Sequence, residues 1–263
     1  MQNVLKIALI MLIVLSCKTK VELKDFSKND IQEAKTDKIL FVVSNQKTYG
    51  SSSIKTSNHF GEIVYAYDEF LKAGYDVDFV SPNGGPISYG YLNKSNPIQI
   101  KYLKDTLLLN KLIKTNSPQQ VNVTLYKAIY YVGGGAAMYG VPENEQIQEI
   151  AKDIYEKNNG VVSAICHGSA GIVNLKTSDG EYIYKGKNVN GYPDKFERMN
   201  AAYYQEFPFS IEQKLKENGG KFSYSEKNRA QYYQVDGRLI TGQDPSAAKI
   251  VAQKIIKALT NKS

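Results

Sequence analysis

The chain has 263 residues, with 33 lysines and arginines against 26 aspartates and glutamates, so its formal net charge is +7. Hydrophobic residues make up 42% and charged residues 22%, which is typical of a folded globular protein and excludes a disordered one. A mean hydropathy of −0.38 excludes a polytopic membrane protein. The lysines are scattered rather than clustered, so we expect no nucleic-acid partner.

The N-terminus has the pattern of a targeting segment. Ile7–Leu15 is an apolar run that is too short to span a bilayer but long enough for the core of a signal peptide. The four residues that end in Cys17 (VLSC) are typical of a bacterial lipobox, whose cysteine receives the lipid. An ordinary signal peptide, or an uncleaved anchor with an incidental cysteine, is the alternative.

The lipobox reading predicts three segments. Residues 1–16 are a lipoprotein signal peptide, residues 17–37 form a polar tether, and residues 38–262 form one α/β domain. The membrane partner is then a lipid anchor at Cys17, and the expected location is the bacterial cell envelope, on a membrane face that the sequence does not specify.

From residue 38 onward the chain alternates between strand and helix patterns. This alternation predicts a flavodoxin-like three-layer α/β sandwich, with a mostly parallel sheet and helices on both of its faces. The stretch from Tyr89 to Gln120 gives no clear pattern. The predicted strands are Ile39–Ser44, Tyr75–Ser81, Ala128–Val132, Val161–Ile165 and Arg238–Thr241, and the predicted helices are Glu62–Ala73, Pro142–Asn158, Ser169–Leu175 and Pro245–Leu259 with Asp244 as cap.

Cys166 follows the apolar run Val161–Ile165 and precedes a predicted helix. Such a turn lifts a side chain above the carboxyl edge of the sheet, where α/β folds bind ligands. Free N–H groups at a helix start are expected to lower the pKa of the thiol there. With His167 next to it, Cys166 is a candidate nucleophile, and a buried structural cysteine is the alternative. Because His167 is the next residue, its ring need not face the sulfur.

Few other residues offer chemistry. The chain has two cysteines and two histidines, which is too few for a disulfide framework or a His-rich metal cluster, and we expect no metal. The second histidine, His59, precedes a predicted helix and either lines the same cleft or lies on the surface. Without a Rossmann fingerprint or a P-loop, the sequence indicates no nucleotide cofactor, and we expect no cofactor at all.

The motif AICHGSAG around Cys166, preceded by YYVGGGAAM, resembles the ThiJ/PfpI family of the class I glutamine amidotransferase-like superfamily. The strongest likeness is to its heat-shock chaperone and glutathione-independent glyoxalase branch. Further matches stand in the expected order and extend from Lys38 nearly to the C-terminus. They are FVSPNGGP, LIKTNSPQQVN, YKGKNVNGYPDKFE and VDGRLITGQDPSAA.

The resemblance implies a set of site residues. Cys166 matches the family's nucleophile, His167 its adjacent histidine, and Glu197 the acidic partner of that histidine. Glu62 matches the glutamate that hydrogen-bonds the cysteine and shares a proton with it. Gly134 and the backbone of His167 match the oxyanion donors.

The resemblance also implies the reaction, in which a Cys166 thiolate adds to a methylglyoxal-like 2-oxoaldehyde and a 2-hydroxy acid is released. The small 2-oxoaldehyde is the expected partner, deglycase or chaperone activity can accompany the reaction, and a homodimer is compatible with the resemblance. A cysteine peptidase or amidase, and a non-enzymatic holdase or redox sensor, are the alternatives.

This chain departs from the family at three places. Gly135 stands where the family often has a histidine, which places the substrate range in doubt because it changes a pocket wall. Ala66 replaces a usual proline, and residues 87–89 replace an aspartate that often follows the Gly-Gly-Pro turn. The last two changes concern scaffold and loop, and leave the Cys-His-Glu set complete.

Overall fold

The computed structural model describes residues 37–261. The predicted signal peptide, the lipidation residue Cys17 and the tether up to residue 36 lie outside the described residues, so these three assignments remain predictions. Within residues 37–261, no helix is both long enough and apolar enough to cross a membrane.

The core of the described domain is a six-stranded sheet in the order β3-β1-β5-β6-β10-β9. The first five strands are parallel, and β9 pairs antiparallel with β10 at one edge. The order of the parallel strands is that of flavodoxin-like folds, so the predicted fold class is confirmed. The strands of this sheet are β1 (Lys38–Val42), β3 (Asp76–Val80), β5 (Tyr126–Tyr131), β6 (Val161–Ile165), β9 (Tyr233–Asp236) and β10 (Leu239–Gly242).

Helices cover both faces of the sheet. On one face, α1 and α6 pack on buried side chains that include Phe41, Phe70 and Val251. On the other face, α4 packs on a second cluster that includes Leu40 and Ile129. The helices are α1 (Phe60–Lys72), α2 (Pro97–Tyr102), α3 (Thr106–Ile113), α4 (Glu145–Glu156), α5 (Ile211–Glu217) and α6 (Ala248–Thr260). Two small two-stranded sheets pair β2 (Asn58–His59) with β4 (Tyr89–Gly90) and β7 (Asn188–Val189) with β8 (Lys221–Phe222).

The predicted helix Ser169–Leu175 is wrong. The chain there forms a 3₁₀ turn over Cys166–Ile172. Two glycines in this turn press against β5, since a Cβ at Gly168 would lie 2.3 Å from the carbonyl oxygen of Tyr131, and one at Gly171 would lie 2.3 Å from the Tyr131 ring. Glycine is a poor helix former, and this close approach favours the tighter turn.

The strand Val161–Ile165 is observed with its predicted ends, and the other predicted elements exist with shifted ends. The helix predicted from Pro142 begins at Glu145, because the side chain of Asn144 accepts the Ile147 N–H and caps it. Asp244 caps the C-terminal segment as predicted, but the first turn, Pro245–Ala247, is a 3₁₀ helix. No sequence pattern predicted β9, and the stretch that holds α2, α3 and β4 is the one without a clear pattern.

Candidate active site

Cys166 directly follows β6, at the carboxyl edge of the sheet. Its φ of 54° is in the left-handed region, which side chains other than glycine rarely adopt and which is found where function requires a special geometry. Gly133, after the neighbouring strand β5, allows this arrangement because a Cβ there would lie 3.0 Å from the Cβ of Cys166 and 2.7 Å from Glu62. The turn therefore has the geometry of a nucleophile elbow.

Cys166 is only 3% exposed, and burial raises the pKa of its thiol well above the usual value. The nearby charge of Glu62 raises this pKa further. The sequence-based expectation of a lowered thiol pKa is therefore wrong. The cost of desolvating the thiolate outweighs the effect of the N–H groups at the start of the turn. Among these groups, the backbone N–H of His167 does lower the pKa of Cys166. The resting group is a neutral thiol that needs a base.

A base lies within reach of the thiol. His167 Nδ1 is 3.6 Å from Cys166 Sγ, and His167 Nε2 is 2.6 Å from Glu197 Oε1. Since a carboxylate can only accept, Nε2–H donates to Glu197 and leaves Nδ1 free to take the thiol proton. The ring of His167 is also held by stacking on Tyr192, with centroids 4.7 Å apart. Sequence alone did not predict that the adjacent histidine faces the sulfur, and here it does.

Glu197 follows the 3₁₀ turn Asp194–Phe196, and its side chain is 5% exposed. Glu197 stands thirty positions after its histidine partner, and the intervening chain bonds back to the elbow. One such bond runs from the Tyr192 N–H to the carbonyl of Cys166. The structure thus brings Cys166, His167 and Glu197 together as one chain of contacts.

Glu62 lies on α1 and is completely buried. Its Oε2 accepts the Gly133 N–H at 2.7 Å, and its carboxyl group also contacts the Cys166 thiol. Burial raises the pKa of Glu62 to about 8. At neutral pH the carboxyl group is therefore mostly protonated and can donate a hydrogen bond to the sulfur or to a reacting oxygen.

His59 lines the same cavity as Cys166, which answers the question that the sequence left open. Its Nδ1 accepts the Glu62 N–H at 3.2 Å, and its ring stacks on Tyr91 with centroids 4.9 Å apart. Burial, with the positive charge of Arg229, lowers the pKa of His59 to about 4. The ring is therefore neutral at physiological pH.

The cavity above the thiol has a volume of about 890 Å³. Gly134, one of the two expected oxyanion donors, lines it together with His167. Gly134 has a φ of 94°, and a Cβ there would lie 2.5 Å from the carbonyl oxygen of Ser57, so a larger residue does not fit. Five tyrosines and one phenylalanine form the aromatic part of the wall, namely Tyr49, Tyr89, Tyr91, Tyr192, Tyr203 and Phe207.

Gly135 is enclosed by this aromatic wall. A Cβ there would lie 2.4 Å from the Tyr49 hydroxyl, and the Gly135 N–H donates to the Tyr91 hydroxyl at 3.2 Å. The hydroxyls of Tyr49 and Thr56 thus occupy the space that a side chain at this position would need, since a Cβ would lie 2.6 Å from Thr56 Oγ1. Neither Tyr49 nor Tyr91 was predicted from the sequence, and Tyr91 lies in the stretch without a clear pattern.

Among residues 37–261, no three histidine, cysteine, aspartate or glutamate side chains cluster in a way that could hold a metal ion. The groups that can do chemistry at the elbow are a thiol, an imidazole, a buried carboxyl group and backbone amides. These groups suit nucleophilic addition with proton transfer.

The fold and the elbow define a class of protein, the flavodoxin-like α/β domains with a cysteine at the nucleophile position. Residues 56–258 match the model of the DJ-1/PfpI family, and the chain belongs to that family. In structure, the chain is similar to the Rapid Encystment Protein 24 KDa of Francisella tularensis, with 31% identity, a TM-score of 0.79, and coverage of 85% of this chain and 99% of that one.

Two curated relatives have names that state an activity. Glutathione-independent glyoxalase HSP31 of Saccharomyces cerevisiae is 29% identical, over 85% of this chain and 98% of its own. Glyoxalase 3 of Candida albicans is 27% identical, over 84% of this chain and 97% of its own. The resemblance to a family with glyoxalases, drawn from motifs in the sequence, is thus confirmed at the level of the family.

Proposed function

We propose that the protein is a cofactor-free, glutathione-independent glyoxalase that converts 2-oxoaldehydes such as methylglyoxal into 2-hydroxy acids. The observation that carries the proposal is the contact chain from Cys166 Sγ through His167 to Glu197, at the floor of a cavity. The names of the curated relatives support the same reaction.

The proposed reaction begins when His167 Nδ1 takes the thiol proton as Cys166 Sγ attacks the aldehyde carbon C1. The C–S bond forms, the carbonyl electron pair moves to oxygen, and protonation gives a hemithioacetal. The amides of Gly134 and His167 are the proposed donors to the developing oxyanion. The protonated carboxyl group of Glu62, which contacts the Cys166 thiol, is the proposed acid beside the sulfur.

A base then removes the hydrogen from C1, and a proton returns to C2, which gives a thioester of the 2-hydroxy acid. Water cleaves the C–S bond and restores the thiol. C1 is oxidised from aldehyde to acid while C2 is reduced from ketone to alcohol, so the electrons balance within the substrate. No external oxidant or reductant is needed.

The same purified chain tests the alternatives together. Loss of methylglyoxal with formation of lactate, in buffer without glutathione, supports the proposal. Cleavage of peptides or amides instead would support a hydrolase. Holdase activity that survives a Cys166→Ser change, without turnover of any 2-oxoaldehyde, would support a non-enzymatic chaperone.

Replacing Glu197 with glutamine is expected to lower kcat for methylglyoxal by about 10- to 100-fold with little change in KM. The amide oxygen can still accept the Nε2–H bond of His167, but the negative charge that stabilises the imidazolium is lost. Steady-state kinetics give the result, with the exposed Glu226→Gln as control. A variant that changes KM alone would show that Glu197 does not orient the base.

The location of the protein is a separate proposal, and it rests on the N-terminal sequence alone. We propose that Cys17 carries the lipid and that residues 17–37 tether the domain at the bacterial envelope. Several acyl chains anchor stably, whereas one chain binds a membrane only marginally.

Expressed in bacteria, the wild-type chain is expected in the membrane fraction. Cys17→Ser is expected to lose both the acyl label and the processing after residue 16. Fractionation and mass spectrometry of the N-terminus decide the question. A wild-type chain that is found soluble with residues 1–16 still attached would contradict the proposal.

A further inference from the structure

The cavity is much larger than the substrate that a methylglyoxal glyoxalase needs. At about 890 Å³ it lies near the upper end of the range of roughly 300–1,000 Å³ that takes drug-sized ligands, whereas methylglyoxal has only three carbons and two oxygens. Contacts with so small a molecule leave most of the aromatic wall unused. The shape therefore points to a larger substrate for the same thiol.

The charged side chains along the cavity have one predominant sign. Four cations line it, namely Lys47, Lys55, Arg198 and Arg229, against the single carboxylate of Glu197. Glu197 is already bonded to His167. Within residues 37–261, none of the four cations forms an ion pair with a carboxylate, in contrast to Lys195, which pairs with Glu226.

One further carboxylate, Asp244, lies close to the site and acts electrostatically on Cys166. The buried carboxylate of Asp244 accepts the backbone N–H groups of Arg229 and Ser246. The guanidinium of Arg198 lies over the Tyr203 ring, 5.9 Å from its centroid, so it is held against the wall. The charge of Arg229 reaches far enough into the cavity to act on His59. The side chains in and beside the cavity therefore carry a net positive charge, with four cations against the carboxylates of Glu197 and Asp244.

We infer that the preferred substrates are 2-oxoaldehydes that carry an anionic group, such as a phosphate ester, with Arg198 and Arg229 as the principal cations that recognise it. This inference rests on the proposed function. With the phosphate ester of hydroxypyruvaldehyde, addition of Cys166 Sγ to C1, proton transfer from C1 to C2 and hydrolysis of the C–S bond give phosphoglycerate. The phosphate stays attached throughout, and no other reactant than water is consumed.

The test compares hydroxypyruvaldehyde with its phosphate ester on the purified full-length chain, using initial rates and chromatography of the products. At low salt, kcat/KM for the ester is expected to exceed that for the neutral compound by at least about 10-fold. Raising the salt from about 20 mM to about 500 mM shortens the Debye length from about 20 Å to about 4 Å and is expected to remove most of this preference.

One double variant and one control assign the preference to residues. In the double variant Arg198→Gln with Arg229→Gln, the ratio of the two kcat/KM values is expected to fall by about 10-fold. Lys257→Gln, an exposed lysine on α6 outside the cavity, is expected to leave the ratio unchanged. Arg229 has a positive φ of 58°, so glutamine is used there in order to keep a long side chain on the same strained backbone.

Each outcome separates the inference from the proposed function. Turnover of the neutral compound with no preference for its ester would overturn the inference and leave the glyoxalase proposal standing. Turnover of neither compound, nor of methylglyoxal, would overturn both. A preference for the ester that persists unchanged in the double variant would overturn the assignment to Arg198 and Arg229.

Discussion

Cys166→Ala is expected to reduce kcat/KM for methylglyoxal by at least about 10⁴-fold, because removal of a nucleophile leaves only substrate binding and the oxyanion site. The thiol is the group from which His167 takes a proton, with Sγ 3.6 Å from Nδ1. No other cysteine lies within residues 37–261, so no second thiol of the described domain can replace it. Continuous assay of methylglyoxal loss, with lactate measured at the end, gives the result.

The same substitution is expected to leave the fold intact. Only one buried sulfur atom is removed, and alanine meets the same positive φ as cysteine, so we expect a change of about 1 kcal/mol in the free energy of unfolding. Circular dichroism and urea denaturation provide the control. Retained turnover would exclude the nucleophile role, whereas a loss of several kcal/mol would indicate that Cys166 is mainly a structural residue of the core.

Glu62→Gln is expected to stabilise the protein at neutral pH while slowing the reaction. The pKa of Glu62 rises from 4.5 to about 8 on folding, so between these pH values folding takes up a proton. Each pH unit in this window then lowers the free energy of unfolding by about 1.4 kcal/mol. The contribution of the neutral Glu62 carboxyl group to the free energy of unfolding is fully present below about pH 4.5, and it is lost as the pH rises to about 8. At pH 7 the accumulated cost is about 3 kcal/mol.

Glutamine removes this cost because it has no charge to bury, and its amide oxygen can still accept the Gly133 N–H. Urea denaturation at pH 4.5, 7 and 9 is expected to show a gain of up to about 3 kcal/mol at pH 7 and almost none at pH 4.5. Glu217→Gln, at an exposed position on α5, is the matched control. A variant that is less stable than the wild type at pH 9 would contradict the burial argument.

The pH dependence of wild-type activity is expected to follow the protonation of Glu62. If the protonated carboxyl group of Glu62 is the acid beside the sulfur, turnover declines as the pH rises through about 8, since the proton is then lost. In Glu62→Gln that limb of the pH profile is expected to disappear. This experiment separates an acid role from a merely structural one.

The elbow could be predicted from sequence because its signals are local. The strand Val161–Ile165 is observed with the predicted ends, since a short apolar run next to a turn has few alternatives in a parallel sheet. Cys166 and His167 are adjacent in the chain, so the strand that ends before them fixes the place of both. The placement of Glu62 followed from the resemblance, because a single glutamate near a helix start has no distinctive pattern.

The rest of the site depends on contacts that no local pattern reports. The bond between His167 and Glu197 spans thirty residues and needs the turn at Asp194–Phe196 to return the carboxylate. The stacking of His59 on Tyr91 depends on the small ladder of β2 with β4, whose strands are two residues long. The raised pKa of Cys166 comes from burial by several distant segments, and a sequence shows none of them.

The most direct test of the account is NMR of methylglyoxal in buffered D₂O with the purified wild-type chain and no glutathione. We expect one lactate for each methylglyoxal lost. If the proton that is delivered to C2 first exchanges with solvent, this lactate carries deuterium at C2. With Cys166→Ala we expect no lactate above the uncatalysed rate. Methylglyoxal that persists with the wild type, or lactate formed equally fast by the variant, would contradict the claim that Cys166 carries a glyoxalase reaction.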